Sequence, residues 1–423
     1  MIICPHRECR VTLSSGGMLI MNLISRLFCR VYQLIFRIAL PFLPYRQPRL
    51  FSRIDDIAPL LQQKDVRFVL LVADGGVRRL GLTAELEQAL AKAHIACAVY
   101  EQNHPNPTIA CVEQARELYL RSGAQAIIAF GGGSAMDCAK AAGARIARPK
   151  RSVRKMRGLL RIMRPTPLLI AVPTTAGTGS ETTLAAVITD EKTHHKYPIN
   201  DFALIPDYAV LDAQLTLNLP AEITAATGMD ALTHAIEAYI GRSTTRLTRA
   251  MAEEAVLLIA ENLREAVRNG QSLFARKNML RASYCAGIAF SRSYVGYVHG
   301  LAHALGGQYG IAHGLANAVI LPRMLRRYGS SCTEKLARLA RLTGLADGRT
   351  SDSAAAERFI GWIEQMNRDF GFPEGFSQIC AEDIPHMARH AHRECNPLYP
   401  VPLLLDRSEL ESMCRQLMIK EES

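Results

Sequence analysis

The sequence predicts an α/β N-terminal domain with a Rossmann-like parallel sheet, followed by an all-α C-terminal domain. Two observations carry this. From Arg67 to about Leu211, short apolar and β-branched runs alternate with helical periodicities, as in a parallel sheet with crossover helices. From Pro220 onward strand signals cease, and apolar-periodic segments are separated only by Gly, Pro and polar turns. A chain of 423 residues suits two domains with an appendage. The expected division is an amphipathic extension at 1–48, an α/β domain at 49–217 and a helical domain at 218–423.

Met18 to Pro44 is apolar and broken by Arg26, Arg30 and Arg37. At roughly 100° per residue these arginines fall within about 40° of one another. No charge-free run reaches the roughly 18 residues of a membrane span. The segment reads as an amphipathic helix lying on an anionic membrane surface or docking on a partner, or as an ordinary surface helix of the fold. The arginines interrupt the apolar core and no small-residue cleavage site follows, which disfavours a secretory signal; Met18 or Met21 could be the true start.

The first buried strand is Phe68 to Ala73, ending in Asp74-Gly75-Gly76. Thr83 to His94 is helical and Ala96 to Tyr100 is the next strand. Asn106-Pro107 makes a turn, and Thr108 can cap a helix to about Ser122. Ala126 to Phe130 is a strand closed by Gly131-Gly132-Gly133-Ser134, with a helix to about Ile146. Leu168 to Val172 leads into Pro173-Thr-Thr-Ala-Gly-Thr-Gly-Ser-Glu181, and Ala209 to Leu211 is a short last strand.

Strand, glycine turn, helix is a phosphate-cradle arrangement: glycines let the backbone approach a pyrophosphate, and free N–H groups with the helix dipole stabilise its charge. It is also a common tight turn. The loop Thr174 to Ser180 leaves a strand at the same end, where open α/β sheets bind ligands. Together they suggest a dinucleotide. Asp74 can bind ribose hydroxyls and repel a 2′-phosphate, favouring NAD over NADP, although Arg78 and Arg79 lie nearby and Asp74 also suits a simple turn.

In the helical half, Asp230 and His234 are four residues apart, as are His299 and His303, and His313 precedes Gly314. On a helix each pair shares one face. Apolar neighbours imply burial, and a buried carboxylate or imidazole needs a partner. A divalent cation would satisfy these groups; hydrogen bonds within the core would do so too. Mixed N and O donors suit Fe(II) or Zn(II), not Ca(II), and Mg(II) poorly. No Glu follows a His, which disfavours a His-Glu-x-x-His protease.

Eleven scattered cysteines without a C-x-x-C pair read as reduced intracellular thiols, hence a cytoplasmic protein. The net charge of +11 is concentrated in residues 1–50 and 145–164, so a nucleic-acid-binding surface does not explain it. The stretch 145–164 reads as a solvated, Arg-rich surface loop, or as a site for a phosphorylated substrate.

Four motifs in order are Gly-Gly-Gly-Ser134-Ala-Met-Asp137-Cys-Ala-Lys140, Pro173 to Glu181, Gly-Met-Asp230-Ala-Leu-Thr-His234-Ala-Ile-Glu, and His299-x3-His303-x9-His313-Gly-x2-Asn317. This set closely resembles the iron-containing (group III) alcohol dehydrogenases, from about residue 50 to at least 330 and more loosely to 415. The resemblance implies a metal, Fe(II) or alternatively Zn(II), in the cleft between the two domains, held by Asp230, His234, His299 and His313. It implies that His303 lies near the metal without binding it and serves proton transfer or substrate contact. Gly131, Gly132, Gly133 and Ser134 would hold the pyrophosphate; Asp74, Asn106, Asp137, Thr174, Thr175, Thr178 and Lys196 would line the cofactor cleft. The implied reaction is reversible hydride transfer between NAD(H) and a primary alcohol or aldehyde, in a homodimer. Residues 1–48 and 145–164 depart from the family pattern. Thr193 to Asp201 also stands apart, with His194 and His195 read as loop residues rather than ligands. The rival readings are an NAD-using lyase of the dehydroquinate synthase-like type, which shares this architecture, and a membrane-surface scaffold without catalysis.

Overall fold

A computed structural model describes residues 23–103, 106–192 and 195–419. Helix α1 (Leu23–Ala39) comes first. Then follow β1 (Arg49–Phe51), α2 (Ile57–Gln63), β2 (Phe68–Asp74), α3 (Gly75–Arg79), α4 (Ala84–Lys92), β3 (Ala96–Asn103) and α5 (Ile109–Ser122). They continue with β4 (Ala126–Gly131), α6 (Gly133–Ala147), β5 (Gly158–Leu159), β6 (Leu168–Pro173), β7 (Ala185–Asp190), β8 (His195–Asn200) and β9 (Tyr208–Val210).

Six strands form a parallel sheet in the order β1-β9-β6-β4-β2-β3. Its central strands are continuous apolar runs because both faces are covered. Leu70, Val72, Ile127, Ala129 and Ala171 face one core, with residues of α5 and α6; Leu71, Ala73, Ile128, Phe130 and Val172 alternate with them and face another, with α2 and α4. Asp74, Gly131 and Pro173 therefore end side by side, and the loops after them share one rim. Thr174 N–H donates to Gly131 O at 3.0 Å and ties two of those loops together.

The rest is helical: α7 (Ala221–Ile240), α8 (Arg246–Arg268), α9 (Leu273–Ser293), α10 (Tyr297–Tyr309), α11 (His313–Tyr328), α12 (Thr333–Leu342), α13 (Asp352–Asp369), α14 (Ile384–Cys395) and α15 (Arg407–Leu417). One apolar core runs through these helices. The sheet rim touches them directly, since Gly179 N–H donates to Ser283 Oγ of α9 at 3.2 Å.

Several local expectations change. A second, three-stranded sheet, β5-β8-β7, packs beside α6 and had no clear sequence signal. His195 opens β8 instead of lying in a loop, because its backbone pairs with Asp190; His194 lies outside the described residues. The last strand of the main sheet starts one residue early, at Tyr208, in register with Arg49 and Ile170. Residues 145–164 are not merely a solvated loop. Arg145 pairs with Glu113 at 2.5 Å, Arg154 pairs with Asp190, and Val153, Met156 and Ile162 are buried.

Helix α1 docks on the helical half, but by its polar side. Arg30 donates to Val401 O at 2.7 Å and to Pro402 O at 2.9 Å, and Gln33 donates to Tyr399 O at 2.8 Å. Met18 and Met21 lie outside the described residues. No described helix is long and apolar enough to cross a membrane.

Candidate metal centre and cofactor cleft

Helix α7 carries Asp230 and His234 on one buried face, α10 carries His299, and His313 is the first residue of α11. The start of α11 can come this close because Gly314 has no side chain: a Cβ there would lie 2.3 Å from Ala226 O of α7. Asp230 Oδ1 is 3.9 Å from His234 Nδ1, 4.0 Å from His299 Nε2 and 3.6 Å from His313 Nε2. One donor atom from each of the four falls within 4.8 Å of every other. Four donors each about 2.1 Å from one ion would be about 3.4 Å apart in a tetrahedron, so the spacing fits a shared cation.

The electrostatics agree. Burial, followed by the neighbouring imidazoles, holds His299 well below its ordinary value. Burial also pushes His313 down to about 3 and lowers His234. Three neutral imidazoles thus offer lone pairs beside one carboxylate. His234 Nδ1 is buried and has no hydrogen-bond partner in the protein, a costly state that a cation would relieve.

Three supporting residues were given no role from sequence, although Glu237 and Asn317 close two of the motifs. Glu237, on the Asp230 face of α7, accepts from His299 Nδ1 at 2.6 Å and from the N–H groups of Gly296 and Val298 at 2.8 and 2.9 Å. That bond places the His299 proton on Nδ1 and leaves Nε2 free to ligate. Burial pushes Glu237 up to about 7. Asn317 Nδ2 donates to Asp230 Oδ1 at 2.7 Å and lies 3.2 Å from the Nε2 atoms of His299 and His313. Glu237 and Asn317 had a local signal, being at helical spacing from Asp230 and His313. Glu394, on α14, had none.

His303 stands apart from the four. Its Nδ1 lies 2.6 Å from Glu394 Oε1, which also accepts from Tyr399 OH at 2.8 Å. Its ring stacks on that of His313, with centroids 5.1 Å apart.

The cofactor candidates gather at the sheet rim. Gly132 caps α6, and a Cβ on Gly133 would come within 3.0 Å of the Thr178 side chain, so the cradle tolerates only glycine there without movement. Thr175 lies against Gly132. Asn106 N–H donates to Ser134 Oγ at 3.3 Å, and Lys196 donates to Asn106 Oδ1 at 2.7 Å. One oxygen of Asp74 accepts from Val77 N–H at 2.9 Å, capping α3, while the other faces Gly131. Asp137 accepts from Ser180 Oγ at 3.3 Å, and burial pushes it up to about 6 against the pull of Lys140 and Lys196.

The chain as a whole is similar to known proteins. Residues 51–213 match the model of the iron-containing alcohol dehydrogenases, and residues 224–418 match that of the family's C-terminal region. The NAD-dependent methanol dehydrogenase of Bacillus methanolicus is 36% identical over 343 residues, covering 81% of this chain and 90% of that protein. The 1,3-propanediol dehydrogenase of Klebsiella pneumoniae is 36% identical over 386 residues, covering 90% and 98%. A crystal structure of 1,3-propanediol oxidoreductase superposes with a TM-score of 0.85 at 36% identity, covering 88% of this chain and 99% of that one. The chain therefore belongs to the iron-containing (group III) alcohol dehydrogenase family and is an NAD-linked, metal-dependent oxidoreductase of alcohols and aldehydes.

Proposed function

We propose that Asp230, His234, His299 and His313 hold the catalytic metal, and that the alcohol or aldehyde sits between them and the Gly131–Ser134 and Thr174–Thr178 loops. The observation that carries this is the convergence of one donor atom from each of the four residues, all within 4.8 Å of one another. Bound there, Fe(II), or Zn(II) as the alternative, supplies a Lewis acid for the substrate oxygen, and NAD supplies the hydride acceptor. Glu237 and Asn317 hold the ligands in orientation. Gly131, Gly132, Gly133, Ser134 and the N-terminus of α6 hold the pyrophosphate, with Thr174, Thr175 and Thr178 across from it. Asp74 holds ribose hydroxyls; Asn106, Asp137 and Lys196 line the remaining wall. In this division of labour residues 49–217 carry the cofactor and residues 218–423 the metal. The working form is a cytoplasmic homodimer with peripheral membrane contact through residues 18–44.

His303 moves the proton. Glu394 occupies its Nδ1, so Nε2 is the atom that takes the hydroxyl proton during oxidation, and the carboxylate stabilises the imidazolium that results. His303→Ala should keep the metal and lose kcat by roughly 10²-fold or more. Glu394→Gln should lose about 10-fold, chiefly in kcat rather than KM. Initial rates of NADH formation, with metal analysis on the same samples, check both; full kcat in metal-replete His303→Ala removes the role.

The reading as a whole is tested by anaerobic purification with Fe(II) and a panel of primary alcohols and aldehydes followed at the NADH absorbance. Net NADH production from an alcohol is expected. A product formed from a phosphorylated substrate with no net change in NADH would favour the lyase instead.

A further inference from the structure

Helix α1 is amphipathic in the reverse sense for a helix packed on a globular body. Its Arg30, Gln33 and Cys29 face inward, the first two bonded to carbonyls between Pro397 and Pro402. Its apolar stripe faces out: Leu27, Phe28, Val31, Leu34, Ile35 and Ile38 are 46–63% exposed. Phe42, at 84%, extends the stripe through the turn that follows. Adjacent large side chains at helical spacing, all turned from the body, make a contiguous apolar face of the kind that marks an interaction site.

The charge around this face selects its occupant. Residues 23–54 contain six arginines and no acidic residue; Arg46 pairs with Asp207, Arg53 with Asp55, and Arg30 turns inward to the carbonyls of Val401 and Pro402. Arg26 and Arg242 lie close enough to Arg30 to act on its charge, and Arg37, Arg242 and Arg249 act likewise on Lys335. The apolar stripe is thus flanked along the helix by positive charge, with Arg37 exposed and Arg26 half-buried. A second copy of the chain docking by two-fold symmetry would bring these flanking arginines towards their own copies, which like charges oppose. Anionic lipid complements both parts, apolar side chains entering the acyl boundary and arginines meeting the headgroups.

We propose that the outward face of α1 and Phe42 is the seat of the enzyme on an anionic bilayer. The proposal rests on the reading of peripheral contact given above and assigns that contact to one face. The helix lies in the plane of the interface, anchored to the enzyme by Arg30 and Gln33, and the metal ligands on α7, α10 and α11 take no part.

The test is flotation of the full-length, metal-loaded enzyme with phosphatidylcholine vesicles, with and without phosphatidylglycerol. Binding is expected to the mixed vesicles, to weaken as salt is raised, and to be at least tenfold weaker to pure phosphatidylcholine. Leu27→Glu/Ile35→Glu should lose the binding at least tenfold and keep turnover unchanged, since neither residue touches the site. If the double variant floats as well as the parent, peripheral contact stands and this face is not its seat. If the parent floats with neither vesicle, both readings fall. If the parent fails to float and the double variant has half its mass by light scattering, the face joins two copies and the lipid assignment is overturned.

Discussion

Asp230→Ala/His234→Ala is expected to empty the metal site and lower turnover by roughly 10³-fold or more, the equivalent of the several kcal/mol a Lewis acid supplies at the reacting oxygen. The pair contributes the carboxylate and one imidazole from a single face of α7, leaving two donors on α10 and α11. The loss should be catalytic and not structural. Residues such as Met229, Leu232 and Ile236 pack α7 into the core, and although the variant removes the acceptor of the Asn317 Nδ2 bond, it also removes a buried carboxylate set among three imidazoles with no cation between them. Without added metal, the parent and the variant should therefore melt at similar temperatures. Added Fe(II) should raise the melting temperature of the parent only, because a ligand stabilises only a state that binds it. Calorimetry, metal analysis and anaerobic rates on the same preparations check this. A variant that keeps its turnover, or is stabilised by metal as the parent is, would refute the assignment of the ligands.

The parts of this site legible in sequence are those encoded locally. Two pairs four residues apart on apolar helices identified α7 and α10 as its carriers. Spacing could not separate a proposed ligand from its neighbour: His299 and His303 stand in the same relation as Asp230 and His234, yet His303 is turned to Glu394, which comes 91 residues later. That partnership is a product of tertiary packing. The sheet shows the same divide. β2, β4 and β6 are buried on both faces and read as unbroken apolar runs, whereas β8 carries Lys196 and Pro198 and is recognisable only by its pairing with β7. In α1 the periodicity correctly grouped Arg30 with Arg26 and Arg37, but periodicity says which residues share a face, not on which side the protein lies.

Lys140→Met is expected to destabilise the fold by about 3–5 kcal/mol, the usual consequence of taking one partner from a buried charge network. Lys140 belongs to α6, and its ammonium is fully enclosed. It hydrogen-bonds to Ser180 O at 2.6 Å, Thr183 O at 3.0 Å and Ala185 O at 2.9 Å, with the hydroxyls of Ser180 and Thr183 at 3.1 and 2.9 Å. Burial lowers Lys140 to about 8, while Asp137 and Glu181 act to keep it charged. Burial likewise raises Glu181 to about 7, opposed in part by Lys140. Methionine preserves much of the stem and its packing, so the loss would report the cation itself: carbonyls left unpaired, and two buried carboxyl groups left without it. The same bonds tie α6, whose N-terminus is proposed to hold the pyrophosphate, to the end of the Thr174–Ser180 loop, so the surviving folded enzyme should show a higher KM for NAD with a smaller change in kcat. Lys140→Arg should not rescue either property, because a planar guanidinium cannot reproduce this compact set of acceptors. Urea denaturation and NAD titration of the three proteins give the answer; a Met variant within about 0.5 kcal/mol of the parent, the margin of an ordinary surface change, would mean that the network contributes nothing to stability.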